Sequence, residues 1–228
     1  RDFEPLVERA GRIVFALYPA AFVEWVRTYK HLFRPGLIFT DVSGVKQGVV
    51  EPIQAMLPDG VEFIASHPMA GREVSGVQNA TDAMFAPANF IITPTDKNTP
   101  AGLAFARVLA ETLGFAHICT LSPEAHDRMI GYVSQLTHAI AVSLMCASDN
   151  AHLAEYTGDS FRDLTRIARI NETMWSELFL ENREILAAEI DQFTATLQTL
   201  KSHLLDGDRA ALEEMFVTST RRRAAFDK

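Results

Sequence analysis

The 228-residue sequence is poor in cysteine and has no long apolar run. Its two cysteines, Cys119 and Cys146, show no partner spacing, so we expect buried thiols in a reducing compartment. No uninterrupted apolar run approaches the roughly 18 to 20 residues of a membrane span. A signal-peptide pattern is also absent, which favours a cytoplasmic protein without a membrane partner. No spacing of histidine, cysteine or acidic residues suggests a metal site.

Positive charge and glycine-rich loops are scarce as well. The formal net charge is −8, and the lysines and arginines are scattered, so nucleic-acid binding is not expected. No G-x-G-x-x-G sequence occurs, so the phosphate-binding turn that opens a dinucleotide-binding domain is missing from the chain. With 48% apolar and 22% charged residues, the composition is that of a globular protein with one or two cores.

The order of apolar runs predicts an α/β half followed by an all-α half. Up to residue 121, short β-branched runs alternate with helical stretches, which indicates βα units and a largely parallel sheet. The predicted strands are Ile13–Leu17, Leu37–Asp41, Glu62–Ser66, Asn89–Thr93 and Ala116–Thr120, and the predicted helices are Pro19–Lys30, Gly48–Met56 and Thr99–Leu113. From Ser122, a good N-cap before Pro123, we expect helices only. We therefore predict two domains, residues 1–121 and 122–228.

Apolar residues near the C-terminus repeat every three or four positions. They are Leu186, Ile190, Phe193, Leu197, Leu200 and Leu204. This spacing is a heptad seam over about two and a half repeats. It is typical either of a subunit interface or of the core-facing side of an ordinary bundle helix. Gly207 is expected to end this helix, and Asp208 to begin the next one.

A histidine lies where one of the predicted strands ends. His67 follows the apolar run Val61–Ala65 and precedes Pro68. The carboxyl ends of strands in open α/β sheets bind ligands, and imidazole is well suited to accept a proton near neutral pH. By position alone, His67 is either a catalytic base or a hydrogen-bonded loop residue. Glu73, six residues on, is either an orienting group for His67 or a surface acid.

Other motifs surround this histidine in a fixed order. They are Asp41–Lys46, Ser122–Asp127, Ser134–His138, Phe161–Ala168, Met174–Trp175 and Phe179–Asn182. In this order and at these separations, they resemble the prephenate dehydrogenase family of tyrosine biosynthesis, from about Ala10 to Asn182. The resemblance implies an incomplete Rossmann-type dinucleotide-binding domain followed by a helical dimerisation domain. Because such enzymes open with a strand, a glycine-rich loop and a helix, we expect the first half of that domain to be missing from this chain.

The resemblance also implies an activity. Members oxidise prephenate with NAD or NADP and release carbon dioxide, which gives 4-hydroxyphenylpyruvate; NAD is the expected cofactor here. Arogenate, the amino acid analogue of prephenate, is the alternative substrate. A hypothesis from another class is a non-catalytic dimerising fragment. A homodimer joined through the helical domain is the expected assembly.

Roles for single residues in the α/β half follow from the same resemblance. His67 matches the catalytic histidine and is expected to act as the base on the substrate hydroxyl. Many members have a serine, in contact with cofactor and substrate, where this chain has Gly44. Ser43 is therefore the candidate for that hydroxyl, and Gly44 is expected to leave room for the nicotinamide. Leu17 and Tyr18 belong to a segment that ends beside the cofactor in the family.

The substrate pocket is implied to lie in the helical half. The matching positions are Ser134, His138, Arg166 and Trp175, with His126 in a supporting role. Arg166 is expected to bind a carboxylate through two hydrogen bonds. From the residues alone, His138 and Trp175 are also compatible with an ordinary packed core.

Arg166 is one of three arginines with helical spacing. Arg162, Arg166 and Arg169 are four and three positions apart, so they are expected to share one helix face. Such a stripe by itself is typical of a solvated surface. Of the three, only Arg166 is assigned a binding role by the resemblance.

Overall fold

The structure is a computed structural model that describes residues 3–71 and 76–226. Within these residues the helices are α1 (Glu4–Arg9), α2 (Pro19–Tyr29), α3 (Gln47–Met56), α4 (Pro100–Thr112), α5 (Pro123–Ile130), α6 (Thr137–Cys146), α7 (Leu153–Tyr156), α8 (Asp159–Thr165), α9 (Glu172–Glu181), α10 (Arg183–Leu205) and α11 (Arg209–Arg223). The strands are β1 (Arg12–Phe15), β2 (Ile38–Asp41), β3 (Glu62–Phe63), β4 (Ala65–Pro68), β5 (Asn89–Thr93) and β6 (His117–Thr120). The chain divides into two compact units, Arg1–Ile185 and Leu186–Lys228.

The six strands of the described residues form two adjoining sheets in the first unit. β1, β2 and β3 pair in that order, and all are parallel. In the second sheet, β5 lies between β4, which runs antiparallel to it, and β6, which runs parallel. β2 also packs against β4, so the two sheets meet at the site described below. This α/β arrangement followed by helices confirms the predicted fold class.

The predicted single strand Glu62–Ser66 is wrong, because the chain changes sheets within it. Ile64 donates its N–H to the Phe39 carbonyl at 3.0 Å and completes the pairing with β2. The next N–H on that side, from Ser66, bonds to the Asp41 carboxylate instead of a backbone carbonyl. The chain then pairs with β5 and stays extended through Pro68. His67 therefore lies within strand β4, opposite Ile91, rather than after a strand.

The remaining predicted elements of the α/β half are confirmed to within one or two residues at each end. Ser122 caps α5 as expected, because its Oγ accepts the N–H of Ala125 at 3.2 Å and Pro123 occupies the first helical position. From residue 122 onward, the described residues contain helices and no strand. Local sequence signals were sufficient for these boundaries.

An aromatic core holds β1 and β2 against α2 and α3. Its buried members come from α2, α3, the three parallel strands, the segment before β2 and the start of β4: Phe15, Phe22, Val26, Phe33, Leu37, Phe39, Val49, Val50, Ile53, Phe63 and Ala65. Phe39 on β2 lies at its centre and stacks on Phe63 with ring centroids 5.1 Å apart. Burial of one such side chain is worth roughly 1.5 to 3 kcal/mol. This core therefore fixes the end of β2, where the loop that carries Ser43 and Gly44 begins.

Helices α5 and α6 are continuous through a π-helical segment, Gly131–Leu136, and form a 24-residue helix, Pro123–Cys146. By length and composition alone this helix is apolar enough to cross a membrane, a test that core helices of soluble proteins also pass. Polar residues interrupt its apolar stretches, so the search for an uninterrupted run in the sequence gives no sign of it. Cys146 at its end is exposed and Cys119 is half-buried, so the expectation of buried thiols is wrong.

The second unit contains α10 from Leu186 onward and α11. Gly207 adopts a φ of +67° after α10, and the side chain of Asp208 accepts the N–H of Ala211 at 3.0 Å. A positive φ at this position is the usual glycine helix stop. Both predicted signals are confirmed.

Candidate active site

A buried ion pair joins the loop after β2 to strand β4. Nζ of Lys46 lies 2.7 Å from Oδ2 of Asp41 and also donates to the Ser66 carbonyl at 2.7 Å. The Asp41 carboxylate accepts the backbone N–H of Ser66 at 2.9 Å and that of Ser43 at 3.0 Å. Both charged side chains are fully buried. Charge-assisted hydrogen bonds without competing water therefore fix the loop relative to β4.

The loop places Gly44, the residue after Ser43, next to His67. A β-carbon on Gly44 would lie 3.3 Å from Cδ2 of Leu178 and 3.9 Å from Cε1 of His67. The Oγ of Ser43 is buried and has no hydrogen-bond partner among the described residues. An unsatisfied buried hydroxyl costs about 1 to 3 kcal/mol, so it is the kind of group that a bound ligand satisfies.

His67 contacts His126, which lies 59 residues further along the chain on α5. Nδ1 of His67 and Nε2 of His126 are 2.8 Å apart. Nδ1 of His126 donates to Oδ1 of Asp127 at 2.7 Å. The two Asp127 oxygens also accept the N–H groups of Lys46 and Gln47, both at 2.8 Å, at the start of α3. The three side chains thus form one hydrogen-bonded line that ends at His67.

Burial governs the charge of these groups. It lowers the pKa of His67 well below the usual 6.5, and His126 and Lys46 act in the same direction. Burial also lowers the pKa of His126, against the opposing hydrogen bond to Asp127. The pKa of Lys46 is lowered by burial too, with Asp41 opposing. Both imidazoles are therefore neutral at pH 7, and His67 can accept a proton.

A second group of predicted residues lies around the π-helical segment. The ring of His138 stacks on Trp175 with centroids 3.6 Å apart, and Phe179 meets Trp175 edge-on at 5.8 Å. The Ser134 carbonyl accepts Nδ1 of His138 at 2.9 Å and Oγ1 of Thr137 at 2.7 Å. π-Helical turns shift the backbone hydrogen-bond register and are frequent at functional sites. Here the segment orients the His138 ring against the tryptophan.

The expectation that Arg162, Arg166 and Arg169 share one helix face is wrong. Helix α8 ends at Thr165, and Arg166 begins a 3₁₀ turn that packs against α6. Thr165 donates its hydroxyl to the Phe161 carbonyl at 2.7 Å, a bond that weakens the last helical turn. Arg162 stays in the helix as an exposed partner of Asp159.

Helix α9, which carries Trp175, contacts both parts of the site. Oε1 of Glu177 accepts the N–H of Ala20 at 2.8 Å in the first turn of α2. The Leu178 carbonyl accepts Nε2 of Gln135 at 2.9 Å, and the Leu178 side chain lies over Gly44. α9 therefore ties the π-helical segment to the α/β part of the site.

The structure brings the predicted residues together in two groups. Ser43, Gly44, His67 and His126 form one group, and Ser134, His138 and Trp175 form the other. The turn that carries Arg166 packs on α6, the helix of His138. Leu17 and Tyr18 follow β1 and are 38% and 43% exposed. Glu73 lies outside the described residues.

Sequence reasoning gave no role to Asp127, Asp41 or Lys46. Asp127 follows His126 directly, and an acid beside a motif histidine is a weak signal that could have been followed. Asp41 and Lys46 are the two ends of the Asp41–Lys46 motif. Their separation of five residues gives no indication that they form an ion pair. Burial is what makes that pair important, and burial was visible only in the structure.

Family profiles match almost the whole chain. Residues 3–119 match the prephenate dehydrogenase nucleotide-binding domain, and residues 122–218 match the prephenate dehydrogenase dimerization domain. A prephenate dehydrogenase of Bacillus subtilis is 30% identical over 188 residues, which cover 80% of this chain and 50% of that protein. A cyclohexadienyl dehydrogenase of Zymomonas mobilis is 32% identical over 197 residues, 83% of this chain and 66% of that protein.

The chain thus spans about half to two thirds of the length of these relatives. Among solved structures, the prephenate dehydrogenase of A. aeolicus in complex with hydroxyphenyl propionate and NAD⁺ superposes with a TM-score of 0.89 at 28% identity. The match covers 99% of this chain and 80% of that one. Matches to both family domains, together with the shared fold, show that the chain belongs to the prephenate dehydrogenase family.

Proposed function

We propose that the protein catalyses the oxidative decarboxylation of prephenate to 4-hydroxyphenylpyruvate in tyrosine biosynthesis, with NAD as the oxidant. The observation that carries the proposal is a half-buried, neutral histidine, His67, whose Nδ1 is hydrogen-bonded to His126 and whose ring lies beside Gly44. The buried hydroxyl of Ser43, the residue before Gly44, has no hydrogen-bond partner among the described residues. This arrangement can take a proton from an alcohol. Family membership and the relatives' names support the choice of substrate and cofactor.

The residues at the His67 end fit the nicotinamide part of a dinucleotide. Gly44 has no side chain beside the His67 ring. The buried Ser43 hydroxyl has no partner within residues 3–71 and 76–226, and a bound ligand would supply one. When bound, NAD accepts the hydrogen of the carbinol carbon as hydride. Leu17 and Tyr18, at the end of β1, are the further residues proposed to contact it.

His67 handles the proton in both halves of the reaction. It takes the hydroxyl proton as the carbinol becomes a ring ketone, which activates the opposite ring carbon. The bond between this carbon and the ring carboxylate then breaks, and carbon dioxide leaves. The electron pair of the broken bond stays on the ring, which becomes aromatic with an oxyanion at the former ketone. The proton held on His67 returns to that oxygen, so no net proton is gained or lost and His67 is neutral again.

The second group of residues is proposed to bind the substrate's carboxylates. Arg166 carries the guanidinium that suits a carboxylate, and the turn that holds it packs on α6. His138 lies on α6 and stacks on Trp175. Ser134 fixes His138 through its carbonyl. His126 is proposed to act on His67 rather than on substrate.

We also infer a cytoplasmic homodimer joined through the helical domain, residues 122–228. The seam on α10 supports the interface, because Ile190, Phe193, Leu197 and Leu204 are 37% to 62% exposed. Apolar side chains in a row at this exposure are typical of a surface that a second copy covers. The profile matching residues 122–218 describes a dimerization domain.

The proposal is tested by following NADH formation and carbon dioxide release from prephenate with the purified full-length protein. We expect His67→Asn to lower kcat by about 100- to 10,000-fold, the usual contribution of a general base, with a small change in KM. His117→Asn is the matched control, since His117 is exposed and lies outside the site. It should keep wild-type rates.

Each other outcome has a defined meaning. Turnover of arogenate but not prephenate would identify the amino acid analogue as the substrate and reject our choice. Absence of turnover and of NAD binding would favour the non-catalytic dimerising fragment. Full activity of His67→Asn would reject His67 as the base.

A further inference from the structure

The line from Asp127 through His126 to His67 has a consequence for which nitrogen acts as the base. We infer that Asp127 is a positioning residue that acts through His126 to make Nε2 of His67 the proton acceptor. The inference rests on the proposed function for the role of His67, but its geometry is independent of the substrate. It needs only the donor and acceptor capacity of Asp127, His126 and His67.

Asp127 is the fixed end of the line. The residue is 1% exposed, and each of its oxygens accepts a backbone N–H at 2.8 Å from the first residues of α3. Its own backbone carbonyl accepts Nδ2 of Asn182 at 3.0 Å. A carboxylate held this way can only accept, and the positive end of a helix favours its charge. Oδ1, at 2.7 Å from Nδ1 of His126, therefore requires a proton on that nitrogen.

His126 passes this requirement to His67. A neutral imidazole with its proton on Nδ1 has a lone pair on Nε2, and His126 is fully buried and neutral. Nε2 of His126 is therefore an acceptor at 2.8 Å from Nδ1 of His67, which must donate. The lone pair of His67 then lies on Nε2. If the proton of His126 were on Nε2 instead, the lone pair on its Nδ1 would face the Asp127 carboxylate. Two hydrogen-bond acceptors would then lie 2.7 Å apart.

The same line serves the charged intermediate. When Nε2 of His67 takes a proton, the imidazolium keeps donating from Nδ1 to His126, whose Nδ1–H still points at a negative charge. A buried cation two hydrogen bonds from a carboxylate is stabilised more than one without it. In addition to burial, the positive charge of Lys46 lowers the pKa of His67 and so disfavours a positive charge on that ring before the reaction. The site is therefore poised with a neutral acceptor.

The first experiment is long-range ¹H–¹⁵N NMR of the histidine rings in the full-length protein without substrate. We expect the Nδ1–H tautomer on both His67 and His126. Asp127→Ala should abolish the fixed tautomer of both rings, whereas Asp127→Asn keeps an amide oxygen for His126 and should retain it. Glu124→Gln, an exposed acid on the same helix, is the control and should leave both rings unchanged.

Kinetic measurements distinguish a role of Asp127 in positioning His67 from a role only as a cap at the start of α3. In Asp127→Ala, kcat should fall by about 100-fold while KM stays within about threefold, because the base is misoriented and the pocket is intact. If that variant does not fold, His126→Phe removes the relay but leaves Asp127 on α3, and the same loss of tautomer and of kcat is expected. An Nε2–H tautomer on wild-type His67, or an unchanged tautomer in these variants, would overturn the inference. Failure of the wild type to oxidise prephenate or arogenate rejects the proposed function but leaves the tautomer measurement valid.

Discussion

Among individual side chains, Lys46 allows a direct prediction about stability. Its ammonium is fully buried, and it reaches both the Asp41 carboxylate and the Ser66 carbonyl. Lys46→Met leaves the Asp41 charge buried without its partner, which costs about 3 to 5 kcal/mol of unfolding free energy in such pairs. Urea unfolding followed by circular dichroism measures this loss.

Controls for that prediction are available in the same unit. Lys97→Met changes an exposed lysine and should alter stability by less than about 0.5 kcal/mol. The double variant Asp41→Asn with Lys46→Met removes both charges and should recover part of the loss. A single Lys46→Met variant as stable as the wild type would contradict the role given to the ion pair.

At the scale of elements, α10 connects the helical periodicity to assembly. Leu197 lies on the seam and is 52% exposed, so Leu197→Glu places a charge at the proposed interface. We expect a shift from dimer to monomer in analytical ultracentrifugation, because a buried unpaired carboxylate opposes association. Ala195→Glu, two positions away and on the opposite face of the helix, should leave the dimer intact. Equal behaviour of the two variants would contradict the seam as interface.

Elements also show where sequence patterns failed and why. Repeats and caps predicted α10 and α5 because their signals are local. The run Glu62–Ser66 looked like one strand, but the choice of partner strand changes at Ile64. The arginine spacing looked like one helix, but α8 ends at Thr165, whose hydroxyl bonds to the Phe161 carbonyl. Spacing alone carries no information on which hydrogen bond competes with the next helical turn.

For the molecule as a whole, two neutral histidines make stability depend on pH. The pKa values of His67 and His126 are both lowered from 6.5 in the folded state, so the unfolded chain binds more protons below pH 6.5. The contribution of these two histidines to the free energy of unfolding should therefore be complete above pH 6.5. It should decrease as the pH drops below 6.5. The slope is up to about 1.4 kcal/mol per pH unit for each histidine.

Urea unfolding at pH 7.5 and pH 5.5 measures this dependence. His67→Asn should reduce the difference between the two values, since one titrating group is lost. His117→Asn should not, because that histidine is exposed. Equal stability of the wild type at both pH values would show that these histidines are not held neutral by burial.

Local and long-range determinants divide clearly in this protein. Local sequence patterns suffice for the α/β-then-helical order, for most element bounds, for the caps at Ser122 and Asp208, and for the choice of His67 as the candidate base. These depend on periodicity and on side chains that act within one turn. Three features depend on the folded chain: His67 lies within β4, it contacts His126 across 59 residues, and Asp41 pairs with Lys46. Each of these follows from burial, since polar groups removed from water must find partners wherever the fold supplies them.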